Sequence, residues 1–195
     1  MIQIFIRHGQ CIANLEHQNK VSQLFRNNNP SISNNLESKN YSFETDEQDV
    51  LTEKGKLQAY TTALYLKNFL GDKTSVVSST LTRAKQTSKI INDIVNNSEH
   101  QFIKYDELLI EKSSIESLSD CGIRINSFLE SLTINEVNLI VTHGHVLQVL
   151  VANILNLNLN LSNSLIFNNC GLSIIKDNQL IAFNSISHLN KELLT

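Results

Sequence analysis

Tryptophan is absent and proline occurs once, at Pro30. Cysteine is scarce: Cys11, Cys121 and Cys170 are odd in number, far apart and outside any Cys-x-x-Cys pair, which argues against a disulfide framework or a thiolate zinc site. There is no basic tail and no Lys/Arg cluster. With 16 Lys and Arg against 19 Asp and Glu, the net charge is −3, and no nucleic-acid or anionic-membrane partner is expected. The apolar run at the N-terminus is broken by Arg7, too early for an anchor or a signal segment, so a soluble, cytoplasmic protein is expected. A chain of 195 residues, 41% of them apolar, can bury a substantial core, and a single domain over 1–195 is expected.

What is present is organised around Ile2 to Asn14. Ile2, Ile4, Phe5 and Ile6 make a short buried strand that stops at Arg7-His8-Gly9. Gly9 allows a tight turn or a close approach, and a helix beginning near Cys11 and Ile12 would present free N–H groups to an anion. The same grammar recurs at 137–141, an apolar run ending in Thr142-His143-Gly144-His145 and passing into the helical pattern of 146–152. Two strands therefore deliver one histidine each to the edge where open α/β sheets hold ligands.

Residues 15–50 read as polar and irregular, with turns at 26–30 and 33–35, and are expected to form a lid or a flexible insertion. Thr52 can cap a helix over 53–67 whose apolar stripe is Leu57, Tyr60, Leu64 and Leu66. A strand at 74–77, a helix carrying Ile90, Ile91, Ile94 and Val95, an edge strand at 101–105 and a helix over 119–132 follow. The tail offers strands at 165–167, 172–175 and 179–183. The asparagine excess, as in the alternating Leu/Asn run 155–161, reads as compositional bias. Together these predict an α/β fold, a three-layer α/β/α sandwich around a central mixed, mostly parallel sheet.

Arg7 and Arg83 both follow strand readings, and their guanidinium groups suit phosphate oxygens. A neutral imidazole can attack phosphorus in line, while arginines and a second histidine carry the charge on the equatorial oxygens. The leaving oxygen needs a proton, and Glu107, Glu111 and Glu116 are candidates that periodicity leaves unranked. His8 with His143 and His145 could imitate a metal site, but no carboxylate or thiolate stands beside them at ligand spacing, so no metal and no cofactor is expected.

Arg7-His8-Gly9-Gln10 with Asn14, Leu51-Thr52-x-x-Gly55-x-x-Gln58-Ala59, Ser78-Ser79-x-Leu81-x-Arg83-Ala84-x-Gln86-Thr87 and Thr142-His143-Gly144 together resemble the ordered motifs of the histidine phosphatase superfamily, which contains the phosphoglycerate mutases and many phosphatases. The resemblance implies that His8 is the phosphorylated nucleophile, that Arg7, Arg83 and His143 form the phosphate pocket, and that Asn14 adds a polar contact. Asp106-Glu107-Leu108-Leu109-Ile110-Glu111 is similar to the family's acid motif and implies Glu111 as proton donor, with Glu107 second. Gln10, His145 and Arg26 stand as further residues near the site or the substrate. The Gly-x-x-Glu-Gly stretch of many relatives reads here as 113–117 without either glycine.

The expected function is hydrolysis of a small phosphorylated metabolite through a phosphohistidine on His8. The alternatives are phosphoglycerate mutase-type transfer, a phosphoprotein or phosphohistidine phosphatase, and a catalytically silent binding protein of the same fold. A mutase needs extra cations and exclusion of water, and between 87 and 130 the only arginine is Arg124. Monomer and homodimer are both compatible with the sequence. EDTA is expected to leave the hydrolytic rate unchanged; a large loss restored by Zn²⁺ or Mg²⁺ would reverse the metal-free reading.

Overall fold

The computed structural model describes residues 2–26, 46–70, 74–97, 102–132 and 137–194. Six strands form one sheet: β1 (Ile2–Arg7), β2 (Ser75–Ser79), β3 (Lys104–Asp106), β4 (Val137–Thr142), β5 (Leu172–Lys176) and β6 (Gln179–Ser185), in the order β3-β2-β4-β1-β5-β6. The first four run parallel, and β5 and β6 join as an antiparallel pair. The helices are α1 (Ile12–Arg26), α2 (Glu53–Lys67), α3 (Thr82–Val95), α4 (Leu118–Glu130) and α5 (Gly144–Ile154).

Strand periodicity sorts the core into two faces. Phe5, Val77 and Ile140 pack with Cys121, Ile125 and Phe128 of α4 and Val146, Leu147 and Leu150 of α5. Ile4, Ile6, Val76, Leu139 and Val141 pack instead with Ala63 and Leu66 of α2 and Ala84, Ile91 and Val95 of α3. The result is the three-layer α/β/α arrangement expected. Because β1 lies beside β4 with Arg7 opposite Thr142, the residues after both strands, His8 and His143, emerge as neighbours.

Three expectations need correction. Residues 15–26 are not irregular but the body of α1, mostly exposed and without an acidic residue in its first turn; a helix so polar carries no apolar spacing from which to read it. Residues 27–45, the core of the expected lid and the site of the turns at Pro30 and 33–35, lie outside the described residues, as does the side chain of Arg26. The stripe assigned to α2 is turned outward: Leu57, Tyr60 and Leu64 are 51%, 48% and 44% exposed, and the buried face is Gly55, Gln58, Ala59, Thr62, Ala63 and Leu66. Small side chains let α2 approach closely, and hydrogen bonds satisfy its buried polar ones. Finally, 165–167 is not a strand, since its carbonyls turn to side chains: Leu165 O accepts from Gln148 and Phe167 O from Arg7.

The close approach is tightest where the turn after β1 meets the first turn of α2. Thr52 caps α2 through its Oγ1, which accepts from Gly55 N at 3.0 Å, and Thr52 N donates to Gln10 O at 2.9 Å. A Cβ on Gly9 would lie 2.5 Å from Gly55 O, and one on Gly55 would lie 2.0 Å from Gln10 O. Backbone blocks both positions, so relief requires moving the turn that carries His8. Gly55→Ala is therefore expected to lower unfolding stability by about 1–3 kcal/mol, measured by urea denaturation; a change within about 0.5 kcal/mol would contradict this contact.

Candidate active site

His8 is held from every side. Its N–H donates to Thr142 O at 3.0 Å, its carbonyl accepts from Asn169 Nδ2 at 2.9 Å, and the next amide, Gly9 N, donates to Thr87 Oγ1 at 3.0 Å. Nδ1 lies 2.8 Å from Gly9 O. A carbonyl only accepts, so Nδ1 carries the ring proton and Nε2 carries the lone pair. Arg83 Nε donates to that Nε2 at 3.3 Å. Burial, then the charges of Arg83 and Arg7, hold His8 well below its ordinary 6.5, so the ring is neutral at working pH.

His143 faces it with ring centroids 5.1 Å apart. Its Nε2 is 2.8 Å from Ser79 Oγ. Ser79 Oγ also accepts from Leu81 N at 3.3 Å and can give its hydroxyl proton to Nε2, the tautomer in which the ring's own proton sits on Nδ1. That Nδ1, like Arg7 Nε, is buried without a hydrogen-bond partner among the described residues. In that tautomer two desolvated donors without an acceptor among the described residues lie at the histidine pair, an arrangement that an anionic oxygen would satisfy. Burial, then Arg83 and His8, push His143 well below 6.5 as well. Gly144 starts α5 beside that guanidinium, where even an added Cβ would lie at an ordinary 3.6 Å from Arg7 Nε.

Arg83 is steered by two carboxylates. Asp49 Oδ2 stands 3.1 Å and Asp46 Oδ1 3.6 Å from its Nη1. Asp49 Oδ1 also accepts from Ala13 N at 3.1 Å, so the anion met by the N-terminus of α1 is this side chain. Asp46 Oδ2 does the same for α3, accepting from Thr82 N and Oγ1 at 2.8 and 2.9 Å.

Glu111 follows the 3-10 turn Glu107–Leu109, which Thr142 Oγ1 ties to the end of β4 by donating to Leu109 O at 2.8 Å. Its Oε1 accepts from Lys112 N at 3.0 Å and lies 3.4 Å from His145 Nδ1. Burial raises Glu111, but the bond to His145 and the charges of His145 and Arg83 outweigh it and lower the carboxyl below its ordinary range. The three carboxylates left unranked by periodicity now separate. Glu116 is committed to Arg124, with Oε1 and Oε2 at 2.7 and 2.8 Å, and Glu107 is exposed, while Glu111 interacts with both Arg7 and Arg83.

Gln10 is buried scaffold: N bonds Gln58 Oε1, Nε2 bonds Gln18 Oε1, and Oε1 accepts from Thr52 Oγ1. Asn14 Oδ1 accepts from Asn169 Nδ2 at 3.0 Å, and both residues line a cavity of about 210 Å³ with Arg7, Gln18 and Phe167. Sequence reasoning missed Asp46, Asp49, Ser79 as the partner of His143, and Asn169. Asp49 stood two residues before Leu51-Thr52, a readable signal; Asn169 was hidden in a chain where asparagine is everywhere. Among the described residues, no group of three or more His, Cys, Asp or Glu is placed to hold a metal ion, and no helix is long and apolar enough to cross a membrane.

Comparison with known proteins gives a family match and a set of structural neighbours. The family model described as histidine phosphatase superfamily (branch 1) matches residues 31–111 and 96–179, downstream of the Arg7-His8-Gly9 turn. A phosphoserine phosphatase from Entamoeba histolytica, solved with 3-phosphoglyceric acid, is 18% identical with a TM-score of 0.70, covering 97% of this chain and 99% of that one. YhfR of Bacillus stearothermophilus is 20% identical with a TM-score of 0.71, over 97% and 99% of the chains. A putative α-ribazole-5′-phosphate phosphatase of Escherichia coli is 18% identical with a TM-score of 0.65, over 95% and 96%. At these identities the likeness is one of fold. No protein with a curated description matches the sequence.

The two buried histidines make stability depend on pH with a definite sign. Each is neutral in the native state, whereas the unfolded chain takes up protons below about 6.5, so each subtracts stability as pH falls through that value, at up to about 1.4 kcal/mol per pH unit. His145, raised by its bond to Glu111, acts oppositely: its contribution is full below 6.5 and is lost as pH rises through its native value. Urea unfolding between pH 7 and 5 is expected to show a shallower loss for His8→Gln than for wild type; identical slopes would contradict a buried neutral His8.

Proposed function

Because the chain belongs to the histidine phosphatase superfamily (branch 1), a family of phosphoryl-transfer enzymes, we propose that it hydrolyses the phosphomonoester of a small metabolite through a phosphohistidine on His8. The observation that carries this reading is the state of His8: neutral, with Nδ1 committed to Gly9 O and Nε2 beside Arg83. In the first step the Nε2 lone pair attacks phosphorus, the bond from phosphorus to the leaving oxygen breaks, and that oxygen takes a proton from Glu111. In the second step water attacks the phosphoryl group, gives its proton to Glu111, and the P–N bond electrons return to Nε2 as inorganic phosphate departs. Arg7, Arg83 and His143 carry the charge on the phosphoryl oxygens throughout. The Arg7 and His143 donors without protein partners support this role.

A small substrate is favoured by the size of the cavity beside Arg7, about 210 Å³, which the amide side chains of Asn14, Gln18 and Asn169 line. The neighbours named as phosphoserine and α-ribazole-5′-phosphate phosphatases mark the size and chemistry of substrate to try first.

With purified protein and a panel of phosphometabolites, His8→Ala is expected to lose all turnover, and retained turnover would refute the nucleophile. Glu111→Gln is expected to slow alkyl phosphates by about 100-fold or more while sparing 4-nitrophenyl phosphate, whose leaving group scarcely needs protonation. Equal losses on both would move the acid elsewhere.

A further inference from the structure

The acid and base steps assigned to Glu111 need it protonated in one and ionised in the other, and its surroundings favour only the second. We propose that His145 is a positioning residue that holds the leaving-group proton for Glu111: the proton resides on His145 Nδ1, 3.4 Å from Glu111 Oε1, passes to the carboxyl when substrate is bound, and returns after water attacks. The proposal rests on the reading of Glu111 as proton donor.

Placement comes from the local structure. His145 is the second residue of α5, directly after His143-Gly144, so the helix that begins at the phosphate pocket also aims this imidazole at the carboxyl. Glu111 is fixed from its own side by Lys112 N, and the turn before it is held to β4 by Thr142. The two polar contacts to Glu111 both fall on Oε1. The side chains of Glu111 and His145 are 25% and 46% exposed, so the pair reaches solvent while Glu111 lies in the field of Arg7 and Arg83.

The charges around the pair account for its resting state. Arg83 from α3, Arg7 from β1, Arg124 from α4 and the adjacent Lys112 all act on Glu111 or His145. Cys121 of α4, also within the field of Glu111, stays a thiol because burial raises it to about 11. Glu111 is lowered and His145 raised by their mutual bond, so the proton the pair shares is favoured on the imidazole. A bound phosphoryl dianion adds negative charge beside the carboxylate and raises its proton affinity. The proton then crosses from Nδ1 to Oε1, and the O–H turns about its C–O bond to meet the leaving oxygen as the P–O bond breaks. That leaves neutral His145 and ionised Glu111, ready to accept the proton of the attacking water and pass it back to Nδ1.

The test uses phenyl phosphate and 4-nitrophenyl phosphate, which differ in leaving-group basicity and little in shape. His145→Asn keeps a donor near Glu111 but no releasable proton. It is expected to slow phenyl phosphate by about tenfold or more relative to 4-nitrophenyl phosphate and to move the alkaline limb of the phenyl phosphate kcat profile to lower pH. Adding His145→Asn to Glu111→Gln should cost nothing further on phenyl phosphate. Equal losses on the two esters with an unmoved limb, or losses that multiply in the double variant, would overturn the proposal while leaving a His8-dependent phosphatase intact. Hydrolysis of 4-nitrophenyl phosphate that survives His8→Ala would instead defeat the broader reading.

Discussion

The contact between His8 Nδ1 and the carbonyl of Gly9, 2.8 Å long, decides which nitrogen of the imidazole can react, and much of the molecule serves to keep that carbonyl in place. Gly9 lies backbone to backbone against Gly55, where neither position has room for a Cβ. Gly55 is there because Thr52 caps α2 and reaches Gln10 on the same turn. Thr87 of α3 and Asn169, just before β5, close the turn from two further directions. Residues from four distant stretches of the chain thus converge on one tautomer.

The second constraint is electrostatic. Bringing two arginines beside two neutral histidines in a desolvated pocket is costly unless the charges are answered. Asp46 and Asp49 answer for Arg83, and Phe167 O accepts from Arg7. Both aspartates also satisfy helix N-termini, so neutralising the pocket and starting α1 and α3 are one arrangement. The atoms left without a partner among the described residues, Arg7 Nε and His143 Nδ1, are those proposed to meet a phosphoryl group. Holding them desolvated before substrate arrives means little reorganisation when it binds.

Much of this could be read from the chain, for identifiable reasons. The strands β1 and β4 were legible because Ile, Val and Leu runs stop abruptly at Arg7-His8-Gly9 and Thr142-His143-Gly144, and α2 because Thr52 announces its start. The inward face of α2 was misread because Leu57, Tyr60 and Leu64 look like a core stripe, whereas close packing and hydrogen bonding favoured Ala59, Ala63, Gln58 and Thr62. The polar α1 was invisible to apolar periodicity, since the groups that start it, Asp49 and the carbonyl of Val50, lie far along the chain. Periodicity left Glu107, Glu111 and Glu116 level and only the motif resemblance favoured Glu111; the separation in space comes from tertiary contacts, the bidentate hold of Arg124 on Glu116 and the tether from Thr142 to Leu109. Single residues that matter through one long-range bond, such as Asn169, leave no local pattern.

The claim on which all of this turns is that the phosphoryl group is carried on Nε2 of His8. It is tested by quenching turnover in alkali, where phosphohistidine survives, and mapping the modified peptide while distinguishing the two ring isomers by ³¹P NMR. The account predicts phosphate on residue 8 as the Nε2 isomer. The Nδ1 isomer, or phosphate on His143 or any other side chain, would contradict it.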